Sequence, residues 1–87
     1  MHELPATRVA VRLWVPRGAA GDLAGGARRV LEAVSTVDRV ETLEVTGFRP
    51  TATDVRVEVR ATVALAAGTD AADLEAGFGV VEAAVDA

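Results

Sequence analysis

Residues 54–65 read DVRVEVRATVAL and form the most regular pattern in the chain. Apolar residues occupy every second position from Val55 to Leu65, and mostly charged or polar residues stand between them. Successive side chains of a β-strand point to opposite faces of a sheet. The alternation therefore predicts a strand over Asp54 to Leu65, with one buried face and one exposed face.

The segment before this strand predicts its hairpin partner. Alternation continues, less regularly, from Arg39 to Phe48. Residues 47–53 contain glycine, proline and threonine, as a turn region does. In this interpretation Leu43 and Val45 share one face, and the other face carries Thr42, Glu44, Thr46 and Phe48.

A further strand is predicted near the start of the chain, from Thr7 to Val15. Pro16 ends it, because proline has no N–H to donate to a neighbouring strand. The predicted buried side chains are Val9, Val11, Leu13 and Val15, and the predicted outward side chains are Arg8, Ala10, Arg12 and Trp14.

Two segments have the three- and four-residue spacing of amphipathic helices. The first runs from Leu23 to Val34, with Asp22 as its N-cap. The second begins at Asp70, with Asp73 placed to complete a capping box. Its predicted apolar stripe consists of Leu74, Phe78, Val81 and Val85.

The predicted element order is β-α-β-β-α. A right-handed crossover through the first helix is expected to bring strand one parallel to strand three, and both helices to cover one face. The sequence thus predicts an α+β fold: a ferredoxin-like βαββα sandwich with a three-stranded mixed sheet. We expect residues 1–87 to form a single domain, with residues 1–6 as a flexible tail.

Residues 29–45 read RVLEAVSTVDRVETLEV, and this passage from helix to strand resembles several small ferredoxin-like domains. ACT-type regulatory domains, heavy-metal-associated domains and the cytosolic domain of cation-diffusion transporters are similar here. The paired cysteines of the second family and the histidine ligands of the third have no counterpart in this chain. The resemblance therefore implies a fold and does not by itself imply a function.

The composition of the chain argues against some classes of function. The chain has 87 residues, a net charge of −4 and no cysteine. An acidic domain lacks the general attraction to phosphates on which nucleic-acid and anionic-membrane binding depend. The first residues lack the features of a signal peptide, and no apolar run approaches the roughly 20 residues that span a bilayer. We therefore expect a cytoplasmic protein that binds neither nucleic acid nor membrane; its all-arginine basic residues suggest a GC-rich bacterial genome.

A glycine-rich loop between the first strand and the first helix is the candidate ligand site. Its backbone amides could hold an anion at the helix start. The loop matches no known phosphate-binding motif, and Asp22 would repel phosphate, so a plain connection is the favoured interpretation. The candidate ligand-binding residues are Arg17, Gly18, Gly21 and Asp22.

No catalytic residue, metal ligand or cofactor is predicted. The only histidine, His2, lies near the start of the chain, and no pattern places a nucleophile beside a base. Asp70, Asp73 and Glu75 could offer oxygens to a cation, but acidic residues at a helix start are expected to act in capping.

The outward face of the sheet is the candidate interface. It combines aromatic residues with arginines, the composition of many protein interfaces. We expect a homodimer through this face, or through strand one as an unpaired edge. The candidate interface residues are Arg8, Ala10, Arg12, Trp14, Phe48, Arg56, Glu58 and Arg60.

The favoured function is a non-enzymatic dimeric binding or regulatory module. Its ligand, whether a small molecule or another protein, is not identified by the sequence. Two alternatives remain open: a structural subunit of a larger homo-oligomer, and a small enzyme that uses a carboxylate in a dimer cleft.

Overall fold

A computed structural model describes residues 6–19, 21–77 and 79–85. Four strands make up most of the described residues: β1 (Ala6–Pro16), β2 (Val37–Pro50), β3 (Asp54–Leu65) and β4 (Val80–Val85). One α-helix, α1 (Leu23–Glu32), connects β1 to β2. Two 3₁₀ segments, Arg17–Ala19 and Ala71–Ala76, follow β1 and β3.

The strands form one sheet in the order β2-β3-β1-β4. All three pairings are antiparallel. It follows that β1 and β2 run in the same direction and are separated by β3. The connection through α1 thus crosses over one strand of the sheet.

The predicted three-stranded mixed βαββα sandwich of the ferredoxin-like type is wrong. The described residues contain four strands and a single α-helix, and β1 is antiparallel to β3. The crossover through α1 makes β1 parallel to β2, and the hairpin makes β3 antiparallel to β2. A strand placed between β1 and β2 must then be antiparallel to both. The prediction that strand one is an unpaired edge is also wrong, because β1 pairs with β3 and β4.

The predicted last helix is wrong beyond its first turns. Its start is capped as expected: the Asp70 N–H donates to Asp73 Oδ2 at 2.8 Å, and the Ala72 N–H donates to Asp70 Oδ1 at 3.0 Å. The 3₁₀ segment then ends at Ala76, and Gly79 has a φ of +89°, a conformation that an L-residue in a helix does not adopt. Beyond this turn Val81 and Val85 lie on β4. Phe78 lies outside the described residues.

The other predicted elements are confirmed within a few residues at their ends. The strand from Asp54 to Leu65 has the predicted bounds. The first helix begins at Leu23 as expected, and the Gly25 N–H donates to its N-cap Asp22 at 2.9 Å. Of the predicted tail, residues 1–5 lie outside the described residues, whereas Ala6 already belongs to β1.

The core lies between one face of the sheet and α1. Helix residues Ala27 and Leu31 are fully buried, as is Leu74 from the 3₁₀ segment Ala71–Ala76. No polar or charged residue in the described part of the chain is buried. The sheet supplies most of the core: Val9, Val11, Leu13, Val15, Val37, Val40, Val55, Val57, Val59, Ala61, Val63, Leu65 and Ala83.

Candidate functional site

The face of the sheet turned away from α1 is the candidate site, and we call it the open sheet face. The strand alternation that directs the valines of β1 and β3 into the core directs the intervening side chains onto this face. Cross-strand register extends it onto β2 and β4. Its residues are Arg8, Ala10, Arg12 and Trp14 of β1, Arg56, Glu58, Arg60 and Thr62 of β3, Thr42, Glu44, Gly47 and Arg49 of β2, and Glu82 and Ala84 of β4.

Arg12 lies at the middle of the open sheet face, between two carboxylates. It pairs in register with Glu58 on β3 and with Glu82 on β4. Its Nε lies 3.8 Å from Glu58 Oε1, and its Nη1 lies 3.6 Å from Glu82 Oε2. All three side chains are well exposed, so these ion pairs stabilise the monomer little. They fix a row of alternating charge across three strands.

The next row contains the only tryptophan of the chain. Trp14 is opposite Arg56 in register, and the Arg56 guanidinium carbon lies 4.7 Å from the centroid of the Trp14 ring. This is cation–π geometry. Within the described residues, the Nε atoms of Arg12 and Arg56 are shielded from solvent and have no hydrogen-bond partner. The Nε–H groups of two arginines in adjacent rows therefore donate no hydrogen bond within the described residues.

Two shallow depressions lie on the open sheet face. The first, of 200 Å³, lies between Arg8, Glu44 and Arg60. The second, of 260 Å³, lies between Ala10, Arg12 and Thr46. Both are open at the surface of the sheet, the first lined mainly by polar groups and the second by polar and apolar groups alike, which suits contact with a second surface better than enclosure of a small molecule.

Phe48 does not lie on the open sheet face, and its predicted position there is wrong. It pairs with Val57, a core residue, so Phe48 is on the α1 side, where it is 62% exposed. The cause is a register irregularity between Val45 and Gly47, which moves every later side chain of β2 to the other face. The Thr46 hydroxyl donates to the Glu58 carbonyl at 3.1 Å at this point. Gly47, a glycine inside a strand, was the available sequence signal.

The candidate ligand loop is held by contacts within the chain. Arg17 Nη1 donates to the carbonyls of Thr51 and Ala52, at 2.8 and 3.2 Å, and so ties the loop to the β2–β3 turn. Asp22 is occupied as the N-cap of α1. A methyl group added at Gly18 or Gly21 would have no atom of a residue other than its chain neighbours within 4 Å. Ligand binding by these four residues stays a prediction; residue 20 lies outside the described residues.

A groove at the sheet edge, between the end of β1 and α1, was not predicted from the sequence. It has a volume of 360 Å³ and is lined mainly by apolar atoms of Trp14, Pro16, Val30, Asp54 and Gly79. It forms where β1 extends past the start of β4.

The acidic residues do not form a metal centre in the described ranges, where no group of three or more possible ligands comes together. Asp70 and Asp73 cap the 3₁₀ segment Ala71–Ala76, as the sequence predicts. His2 lies outside the described residues. Among the residues described, no helix is long and apolar enough to cross a membrane.

The outer edge of β4 presents apolar side chains to solvent. Val81 is 40% exposed and Val85 is 62% exposed. The opposite edge of the sheet, β2, contains three register irregularities, against one in the β4 pairing, and ends at a proline, features that discourage pairing with another strand. The two edges therefore differ in their capacity to accept a further strand.

No protein-family model, curated protein or solved structure matches this chain. The resemblance of residues 29–45 to small regulatory and metal-binding domains gains no support from these comparisons.

Proposed function

We propose that the chain is a non-enzymatic binding or regulatory module that works as a homodimer joined through its open sheet face. The observation that carries the proposal is the pairing of Trp14 with Arg56 at 4.7 Å beside the charged row of Arg12. Tryptophan and arginine contribute a large share of the binding energy in protein interfaces. Here both lie on the two central strands of a sheet whose other face is already covered.

The exposure of the acidic side chains is compatible with a binding role. No described carboxylate is buried, as a general acid or base in an active site often is. The depressions on the open sheet face are shallow. The ligand or further partner of the dimer is not identified, and a cytoplasmic location is proposed because cysteine-free chains suit a reducing compartment.

The molar mass in solution tests this proposal. Light scattering on a sizing column at micromolar concentration is expected to give twice the 9.0 kDa chain mass. Trp14→Arg is expected to reduce the mass to that of one chain, because it removes the aromatic ring and places a second guanidinium beside Arg56. Phe48→Arg is the matched control: it introduces the same charge at an aromatic residue on the α1 side, and is expected to remain dimeric.

A structural subunit of a larger homo-oligomer is the second candidate function, and the β4 edge favours it. An exposed apolar edge strand can pair with a strand of another copy. Together with the open sheet face, this edge would give each chain two different contact surfaces. Masses above that of a dimer, reduced to the dimer by Val81→Lys, would support this candidate; a mass that stays at the dimer up to high concentration would exclude it.

A further inference from the structure

We infer that the partner of the open sheet face is a second copy placed by a two-fold axis that runs along the seam between β1 and β3. In this arrangement Arg12 of each copy meets Glu58 of the other. The inference rests on the proposed function and adds to it the geometry of the interface.

The seam between β1 and β3 can face a rotated copy of itself. Each seam row contains one residue of β1 and one residue of β3, directly opposite each other. Consider a two-fold axis that lies between the two facing sheets, parallel to the strands and above this seam. It places β1 of each copy over β3 of the other copy. Each residue then faces the residue of the partner that is its own neighbour across the seam. A pair that attracts within one chain is therefore also attracted between two chains.

The seam rows fit this exchange. Arg12 pairs with Glu58, and Trp14 pairs with Arg56. Facing copies would thus form two Arg12–Glu58 ion pairs and two Trp14–Arg56 cation–π contacts between chains. Two face-to-face sheets lie about 10 Å apart, a gap that side chains as long as arginine and glutamate fill.

The same arrangement keeps arginines apart, although the open sheet face contains more arginine than glutamate. Arg60 pairs with Ala10, and Arg8 pairs with Thr62. After the exchange, each of these arginines faces a small or neutral side chain of the partner. None of the arginines of the four seam rows faces another arginine.

A second face-to-face arrangement, which places each central strand over its own copy, is electrostatically unfavourable when its axis passes through the row of Arg12. A two-fold axis perpendicular to the strands, through the row of Arg12, would place Arg12 over the partner's Arg12 and Glu58 over the partner's Glu58. Like charges that meet in an interface suppress the arrangement that brings them together. The charge pattern therefore disfavours a perpendicular axis through this row, whereas the axis along the seam satisfies it.

Charge exchange tests the axis. Arg12→Glu makes both charged members of the seam row acidic, and Glu58→Arg makes both basic. Each variant alone is expected to be monomeric. A mixture of the two is expected to form a heterodimer that binds at least about tenfold more tightly than either homodimer. Native mass spectrometry separates the three dimers by mass, and Arg29→Glu, an equal charge change on α1, is expected to leave the wild-type dimer intact.

A second experiment avoids repulsion between residues 12 and 58 of the same chain. The double variant Arg12→Glu with Glu58→Arg keeps an ion pair within the chain and is expected to form homodimers. Mixed with wild type, it is expected to form no heterodimer, because equal charges would then meet across the interface. Wild type and double variant have identical composition, so one of them is labelled with ¹⁵N.

The outcomes separate the inference from the proposed function. Heterodimers of the two single variants, and separate homodimers of wild type and double variant, support the seam axis. A dimeric wild type whose double variant exchanges subunits freely with it would overturn the axis and leave the proposed function standing. A monomeric wild type would overturn both.

Discussion

The guanidinium carbon of Arg56 lies 4.7 Å from the centre of the Trp14 ring, and the two residues are opposite each other in the β1–β3 register. Trp14 is the only tryptophan of the chain, so its fluorescence reports the surroundings of the open sheet face. We expect dilution of the wild-type protein to shift the emission to longer wavelength as the face becomes hydrated. The monomeric variant Arg12→Glu is expected to show one wavelength at all concentrations. An emission that stays constant while the mass falls on dilution would place the contact elsewhere.

Gly79 is expected to be required for the turn into β4. Its φ is +89°, and an added methyl group would lie 3.3 Å from Val30 Cγ1 and 3.6 Å from the Trp14 carbonyl oxygen. Gly79→Ala is therefore expected to reduce the free energy of unfolding by about 1–3 kcal/mol in urea denaturation. Gly18→Ala, with open space around it, is expected to change that free energy by less than about 1 kcal/mol in either direction. Equal effects of the two variants would contradict this account of the turn.

Leu74 is expected to anchor the 3₁₀ segment Ala71–Ala76 to the core. Its side chain is fully buried, although the segment is short. Leu74→Ala is expected to reduce the free energy of unfolding by about 2–5 kcal/mol, the usual effect of removing a buried leucine. Leu74→Met conserves volume and is expected to cost less than about 1.5 kcal/mol. If Leu74→Ala proved as mild as Leu74→Met, the segment would not be packed as described.

Arg17 is expected to rigidify the β2–β3 turn. Its Nη1 bonds the carbonyls of Thr51 and Ala52 from a distant part of the chain. Arg17→Ala removes both bonds, and we expect faster amide hydrogen exchange in residues 51–54, with a loss of stability of about 0.5–1.5 kcal/mol. Arg49→Ala on β2 is the control and is expected to leave exchange in this turn unchanged. Unaltered exchange in Arg17→Ala would show that the turn holds its conformation without the loop.

The sequence predicted three strands and α1 because their patterns are local and strong. The alternation of Asp54 to Leu65 and the capping of α1 by Asp22 each depend on neighbouring residues alone. The residues proposed for the open sheet face follow from the same alternation on β1 and β3. These strands carry no register irregularity relative to each other, so the sequence pattern extends unbroken across the seam.

The other features of the fold depend on irregularities and on strand order, which the alternation of apolar and polar residues does not show. Phe48 was placed on the wrong face because the irregularity near Thr46 inserts one residue into β2. β4 was taken for a helix because Leu74, Val81 and Val85 fit a helical spacing, while the turn at Gly79 interrupts it. The orientation of β1 was wrong because the crossover rule fixes β1 relative to β2, and the position of β3 between them was not deduced.

The central claim, that the open sheet face joins two copies of this chain, is tested most directly by the molar mass of the wild-type protein. Light scattering over a dilution series is expected to give twice the 9.0 kDa chain mass at micromolar concentration, with a fall toward one chain on dilution. A mass of one chain throughout the series would contradict the claim.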